Sequence, residues 1–209
     1  MNIKSVYSNR SSIDEAVGEI KQQLKDFNAK LLIYFASSNF APDLISKAVQ
    51  ESFSSTIAFG CSTAGEIASG KMLKNSIVVM AFDAESIEDV KVEVVENVKS
   101  NGDIKGAFAS FEEHFQVSMA ALDFNQYVGI ILIDGLSGSE EKLMDRIGDK
   151  TNITFIGGSA GDDLKFSKTY VYANGKAYND AAVLAVLKPA AGFDIIKTQS
   201  FKVLDKKLV

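Results

Sequence analysis

The sequence contains one cysteine, one histidine and no long apolar run, and each scarcity excludes a class of protein. Cys61 has no partner for an intrachain disulfide, which fits a reducing compartment. Cys61 and His114 together cannot supply the four ligands of a structural zinc site. No apolar run approaches the roughly 20 residues that cross a bilayer, and residues 1–10 lack the apolar core of a signal peptide. The sequence therefore predicts a cytoplasmic protein without a metal site or membrane insertion.

Positive charge is also scarce. The chain has 22 Lys and Arg against 27 Asp and Glu, a formal net charge of -5. Lys206 and Lys207 are too few to form the basic face that nucleic-acid binding normally requires, so no nucleic-acid partner is expected. With 209 residues, of which 46% are hydrophobic, the chain can bury a core without disulfides or metals. We expect residues 1–209 to form a single domain.

Buried strands and amphipathic helices alternate through the first half of the chain. Apolar residues from Ile13 to Phe27 recur every three or four positions, which predicts a helix. The runs "KLLIYFAS" and "STIAFG" lack alternation, as strands covered on both faces do. "APDLISKAVQESF" lies between them and predicts a helix that begins near Pro42. "NSIVVMAFD" and the alternating "IEDVKVEVVENV" predict two further strands.

The second half repeats this order. A linking helix is expected over about residues 102–121, and "VGIILIDG", "GSEEKLMDRIGD", "NITFIGGSAGDD" and "DAAVLAVLK" then match the elements of the first half. "TYVYANGKAY" predicts a hairpin, because Asn174-Gly175 suits a two-residue turn. The expected fold class is α/β, with strand–helix–strand–loop–strand units duplicated over about residues 28–96 and 126–190. Mixed sheets, pseudo-twofold symmetry and helices packed outside complete this expectation.

Matching glycine-containing loops follow the strands of the two units. In open α/β sheets ligands bind beyond the carboxyl ends of strands, and glycine lets the backbone approach a ligand closely. Hydroxyls, carboxylates and helix N–H groups around a shared hollow would suit a small polar zwitterion such as an amino acid. The candidate ligand-binding residues are Ser37, Ser38, Cys61, Ser62, Thr63, Gly65, Glu66, Asp134, Ser137, Ser159, Gly161 and Asp162.

An enzymatic function finds less support in the residues. Neither loop has the lysine of a phosphate-binding P-loop or the spacing of a dinucleotide-binding fingerprint. Cys61 is a conceivable nucleophile of a small hydrolase or transferase, and Glu66 with Asp162 is a conceivable acid–base pair. No spacing selects either possibility, and we predict no catalytic residue.

The lone histidine raises the question of a cofactor. His114 flanks the apolar stripe of the linking helix and is the single candidate for a haem ligand, which would make the protein a gas sensor. A helix-surface histidine is the more ordinary interpretation, so no cofactor is expected. A purely structural interaction domain, which would bind no small molecule at all, is also compatible with the residues.

The loops also carry a family resemblance. "FGCSTAGEI", "FIGGSAGDD", "TYVYANGKAYNDAAVLAVL" and "GFDIIKTQS" resemble the N-terminal half of a FIST domain, over about residues 31–200. The characteristic loop positions of that family fall on residues 60–66 and 157–162. The resemblance implies a sensory module attached to bacterial signal-transduction proteins and to some eukaryotic F-box proteins.

What the resemblance implies about function is a non-enzymatic cytoplasmic sensor. Members of the family are proposed to bind small molecules, including amino acids, and some are reported to bind haem. The implied partners are a small-molecule ligand and either a signalling protein or a C-terminal FIST half. Residues 191–209 are expected to connect toward that half, which the chain itself does not include.

Overall fold

A computed structural model describes residues 2–198 of the chain. Twelve strands and four α-helices occur in this range. The strands are β1 (Ile3–Ser8), β2 (Ala29–Ser37), β3 (Ile57–Thr63), β4 (Glu66–Ala68), β5 (Lys71–Leu73), β6 (Ile77–Asp83), β7 (Ile87–Glu96), β8 (Val128–Asp134), β9 (Phe155–Ala160), β10 (Val171–Ala173), β11 (Lys176–Tyr178) and β12 (Ala181–Pro189). The helices are α1 (Ile13–Gln23), α2 (Pro42–Ser52), α3 (Ile104–Phe115) and α4 (Glu140–Gly148).

Two mixed sheets form the centre of the molecule. The first has the strand order β1-β6-β2-β3-β10-β11 and the second β7-β12-β8-β9, while β4 and β5 pair only with each other. In the first sheet β2 is parallel to β3 and antiparallel to β6. In the second sheet β8 is parallel to β9 and antiparallel to β12.

The layers follow from the continuous apolar strands. Alternate residues of β2, such as Leu32 and Tyr34, pack with α1 and α2 on the outer face of the first sheet. The intervening residues, such as Ile33, face the second sheet and pack with its Leu132. The outer face of the second sheet packs against α3 and α4. The predicted α/β fold with helices outside is confirmed, as an arrangement of helices, two facing sheets and helices.

The two halves share one connectivity. Each runs strand, helix, strand, helix, strand, hairpin and strand, and the sheet order β1-β6-β2-β3 recurs as β7-β12-β8-β9. Strand β7, whose residues the sequence analysis placed in the first unit, pairs with β12 and therefore occupies the position of β1. The repeating unit thus includes β1 and α1, which lie outside the predicted range of 28–96. The pseudo-twofold relation between the units stays a prediction.

Local differences from the expected elements have identifiable causes. The linking helix α3 ends at Phe115, because Gln116 adopts a left-handed conformation with φ of 56°. Hairpin β4–β5 was missed because its strands have three residues each, although its Ser69-Gly70 turn has positive φ at both positions. Residues 192–198 form no regular strand, and the rest of the connection expected over residues 191–209 lies outside the described residues.

Candidate functional site

The glycines that recur in the two halves meet the same steric requirement. Gly60 on β3 lies opposite Tyr34 of β2, and Gly157 on β9 lies opposite Ile131 of β8. A Cβ atom would come within 1.9 Å of the Tyr34 carbonyl oxygen at Gly60 and within 1.7 Å of the Ile131 carbonyl oxygen at Gly157. Both strands therefore need glycine for close backbone approach, which explains the repetition without invoking a ligand.

The two glycine-containing loops lie against each other. The Gly161 N–H donates to the Ser62 carbonyl oxygen over 2.9 Å, and the Ser62 hydroxyl donates to the Gly161 carbonyl oxygen over 2.9 Å. The Asp163 N–H donates to the Ser38 hydroxyl oxygen over 3.2 Å. Loops from both halves are thus brought together, and residues separated by about a hundred positions in the sequence form one cluster.

Glu66 is used to hold its own loop together. Its side chain is buried and accepts hydrogen bonds from the Thr63 hydroxyl, at 2.6 Å, and from the N–H and hydroxyl groups of Ser76. These contacts join the end of β3 to the start of β6. A buried carboxylate needs such donors to offset its desolvation.

Asp134 is the most heavily bonded of the predicted site residues. It is fully buried and accepts hydrogen bonds from the Leu136 N–H at 3.0 Å, the Asn179 amide at 3.0 Å and the Asp180 N–H at 2.7 Å. The Thr169 hydroxyl donates to the same carboxylate. Asp134 thereby connects the end of β8 to the segments on either side of the β10–β11 hairpin.

The remaining polar candidates also make short-range contacts. Asp162 accepts from the Ser167 N–H over 3.1 Å. The hydroxyls of Ser37 and Ser137 each accept from the N–H two residues ahead, over 3.3 Å. The Cα of Gly161 faces Ala64, and that of Gly65 faces the Leu73 carbonyl oxygen. These residues shape the loops around the site.

An apolar cleft of about 400 Å³ lies between the two sheets. Its open side is bordered by Met80 of β6, which is 42% exposed, and by Ile156 of β9, which is 46% exposed. The predicted residues Cys61, Thr63 and Ser159 line it, with both glycines of β9. Its other lining residues are Ile33, Phe35, Met80, Ile130, Leu132 and Ile156.

The apolar walls of the cleft were missed because the predicted site was built from the hydroxyls and acids that follow the strands. A signal was present in the strands themselves, since β2 and β8 are apolar on both faces. The inner face of each strand must lie against the other sheet, and the cleft lies between β2, β3 and β6 of the first sheet and β8 and β9 of the second.

Cys61 is poorly suited to nucleophilic catalysis. Its side chain is buried, and burial raises the pKa of the Cys61 thiol to about 12. The thiolate is the reactive form of cysteine, and no histidine adjoins it because His114 lies on α3. The hydrolase or transferase hypothesis therefore gains no support from the geometry.

His114 contacts a carboxylate at the surface. Its Nε2 lies 2.9 Å from an Asp89 oxygen, and its ring packs edge-to-face on Phe115 with the centroids 4.8 Å apart. The Nε2 nitrogen is thus already hydrogen-bonded. The residue fits the ordinary interpretation of a helix-surface histidine.

The described part of the chain contains neither a metal-binding cluster nor a membrane-spanning helix. Within residues 2–198, no group of three or more His, Cys, Asp or Glu side chains could hold a metal ion. No helix in the same range has both the length and the apolar character needed to span a membrane.

Tyr172 provides a stability test of the packing beside Gly60. It stacks on Tyr34 with the ring centroids 5.5 Å apart, and among the described residues no group pairs with its buried hydroxyl. We expect Tyr172→Phe to raise the free energy of unfolding by about 1 kcal/mol, because it removes an unsatisfied polar group. Urea denaturation measures this. Tyr34→Phe loses the hydrogen bond to Ser46 and should lower stability. If both variants are less stable than the wild type, the Tyr172 hydroxyl is not an unsatisfied group.

Comparison with protein families identifies the chain as a sensory-type domain. The FIST N domain matches residues 30–209, and the chain therefore belongs to the FIST family. It is also similar to the "Uncharacterized protein MJ1623" of Methanocaldococcus jannaschii, with 26% identity over 148 residues. That match covers 70% of this chain and 29% of the relative, so the chain spans under a third of the length of that protein.

Proposed function

We propose that this FIST domain senses a small molecule that binds in the cleft between the two sheets. The observation that carries the proposal is the cleft of about 400 Å³ bounded by the glycine strands of both halves. Ligand pockets of proteins are commonly about 300–1,000 Å³ and mostly apolar, with a few polar groups that fix orientation. Residues 60–66 and 157–162, which resemble the characteristic loops of the family, begin in these same two strands.

The lining favours a ligand with an apolar body. Ile33, Phe35, Leu132 and Ile156 form the walls, and among residues 2–198 no charged side chain lines the cleft. A charged ligand side chain packed against such walls would lose its hydration without compensation. The proposed ligand is therefore an apolar amino acid or a related apolar metabolite.

Thr63 supplies the polar corner of the cleft. Its hydroxyl donates to Glu66 over 2.6 Å, so its oxygen lone pairs remain free to accept a hydrogen bond. The negative carboxylate behind Thr63 favours a donor with positive charge, such as an ammonium group. Glu66 then acts through Thr63 as a positioning residue. Ligand binding would be signalled to a partner by a shift between two conformations that differ in their affinity for the ligand.

Filling the cleft is the direct test. Gly158 faces the cleft, and a Cβ at this position meets no atom within 4 Å, so Gly158→Leu should fold and occupy the space. We expect leucine, phenylalanine, methionine or their amines to raise the Tm of the wild type. At about 100 times Kd the rise should be about 5–10 °C. Gly158→Leu should abolish it.

Gly18→Leu is the matched control, because Gly18 lies on α1 away from the cleft and also has open space around its Cα. It should respond to ligand as the wild type does. Calorimetry would give the affinities directly. Undiminished binding to Gly158→Leu, or equal binding of aspartate and lysine, would refute the proposed site.

A further inference from the structure

Strand β9 has an open outer edge. The second sheet ends at β9, and within residues 2–198 no strand pairs with its far side. The backbone of Gly157, Gly158 and Ser159 is exposed there. An unpaired edge of this kind is a template for an added strand. Strand β3, which has the same place in the first sheet, is instead covered by β10.

The pairing of β3 with β10 shows what such an edge accepts. Tyr172 lies directly opposite Gly60, flanked by the smaller residues Val171 and Ala173. Its ring points to the helix side, stacks on Tyr34 and is fully buried. One large side chain, placed opposite Gly60, thus fills the space between β3 and α2.

The equivalent space in the second half is empty. A cavity of about 250 Å³ lies on the helix side of Gly157, between β9 and α4. Ile131, which corresponds to Tyr34, and Met144 of α4, which is 37% exposed, line it on its apolar side. Glu140, which accepts a hydrogen bond from the Ser159 hydroxyl over 2.8 Å, also lines it. The cavity therefore occupies the position that Tyr172 fills beside Gly60.

The chain does not supply the missing strand from its own described hairpins. Hairpin β4–β5 occupies the matching position in the sequence order, but Glu66 fixes its first strand to Thr63 and Ser76. The β10–β11 hairpin of a second copy is committed to its own β3, with Tyr172 buried. Residues 2–198 therefore supply no strand to this edge.

We propose that β9 docks an extended strand of a partner polypeptide. The strand runs antiparallel to β9, as β10 runs to β3, and places an aromatic or large aliphatic residue opposite Gly157. Smaller residues flank that side chain, in the pattern of Val171-Tyr172-Ala173. The large side chain fills the cavity lined by Ile131 and Met144.

Docking would also affect the ligand cleft. The flanking residues of an added strand point to the opposite face of the sheet, where Met80 and Ile156 border the open side of the cleft. The strand would therefore cover the opening. A ligand in the cleft and a partner at β9 would change the affinity of each other by the same factor.

A peptide with the sequence of residues 168–179 is the probe, because it carries the hairpin that covers β3. Labelled with a fluorophore, it should bind the whole protein in a polarisation titration. Met144→Lys should weaken this binding about tenfold or more, since it replaces an apolar contact of the large side chain by an ammonium group. A peptide with alanine in place of Tyr172 should show a similar loss.

Met72→Lys is the matched control, because Met72 is 91% exposed on hairpin β4–β5. It should leave peptide binding unchanged. Peptide binding that Met144→Lys leaves intact, or no binding by the wild type, would overturn the proposal. A dimer in light scattering that Met144→Lys dissociates would also overturn it, by showing that a second copy occupies the edge. Met144 does not line the ligand cleft, so ligand binding by Met144→Lys tests the proposed function separately.

Discussion

Gly60→Ala should destabilise the protein by about 4 kcal/mol or more, at the upper end of what a single substitution does. The added Cβ would lie 1.9 Å from the Tyr34 carbonyl oxygen and 3.0 Å from the Tyr34 ring. The backbone cannot move away, because β3 is paired with β2 on one side and with β10 on the other. Urea denaturation, or loss of soluble protein, measures the effect.

Gly157→Ala and Gly158→Ala test whether the stability loss follows from the clash of the added Cβ. At Gly157 the same clash exists, with 1.7 Å to the Ile131 carbonyl oxygen, but β9 is an edge strand and can shift outward. Its cost should therefore be about 1–3 kcal/mol. Gly158→Ala meets no atom within 4 Å and should be close to neutral. Equal stability of the variants at positions 60 and 158 would contradict the steric account.

Much of the fold could be predicted because it depends on local pattern. The continuous apolar run of β2 requires cover on both faces, and the structure provides α1 and α2 on one face and the second sheet on the other. Strand β1 was missed because a six-residue segment at the terminus gives little periodicity. The parallel pairing of β2 with β3, and of β8 with β9, follows from the helix between the strands.

The site was harder to predict because its chemistry depends on contacts that are distant in the sequence. Asp134 receives hydrogen bonds from Thr169 and Asn179, which are 35 and 45 residues away. Their identity as its partners is not visible in any local pattern. The prediction that the two loops meet came from their repetition, which reflects a shared backbone requirement at Gly60 and Gly157. The cleft itself is lined by five strands of two sheets, so it exists only in the assembled fold.

Asp134→Ala should lower the free energy of unfolding by about 4 kcal/mol, because it removes the buried acceptor of four donors, among them the buried Thr169 hydroxyl. The Asp180 N–H at 2.7 Å and the Leu136 N–H at 3.0 Å belong to backbone that cannot reorient freely. The Asn179 amide and Thr169 hydroxyl lose their shared partner as well. Asp134→Asn keeps one oxygen and the shape of the side chain, so its loss should be smaller. Chemical denaturation of both variants gives the comparison.

Asp162→Ala separates this structural role from a direct role in binding. Asp162 accepts one N–H, from Ser167 at 3.1 Å, so its removal should cost about 1 kcal/mol. Neither carboxylate lines the cleft between the sheets. The folded fraction of each variant should therefore bind cleft ligands with unchanged affinity, even where stability falls. Affinity is measured under conditions in which both variants are fully folded. A sharp drop in affinity in both would then place the binding site at the acidic loops instead of the apolar cleft.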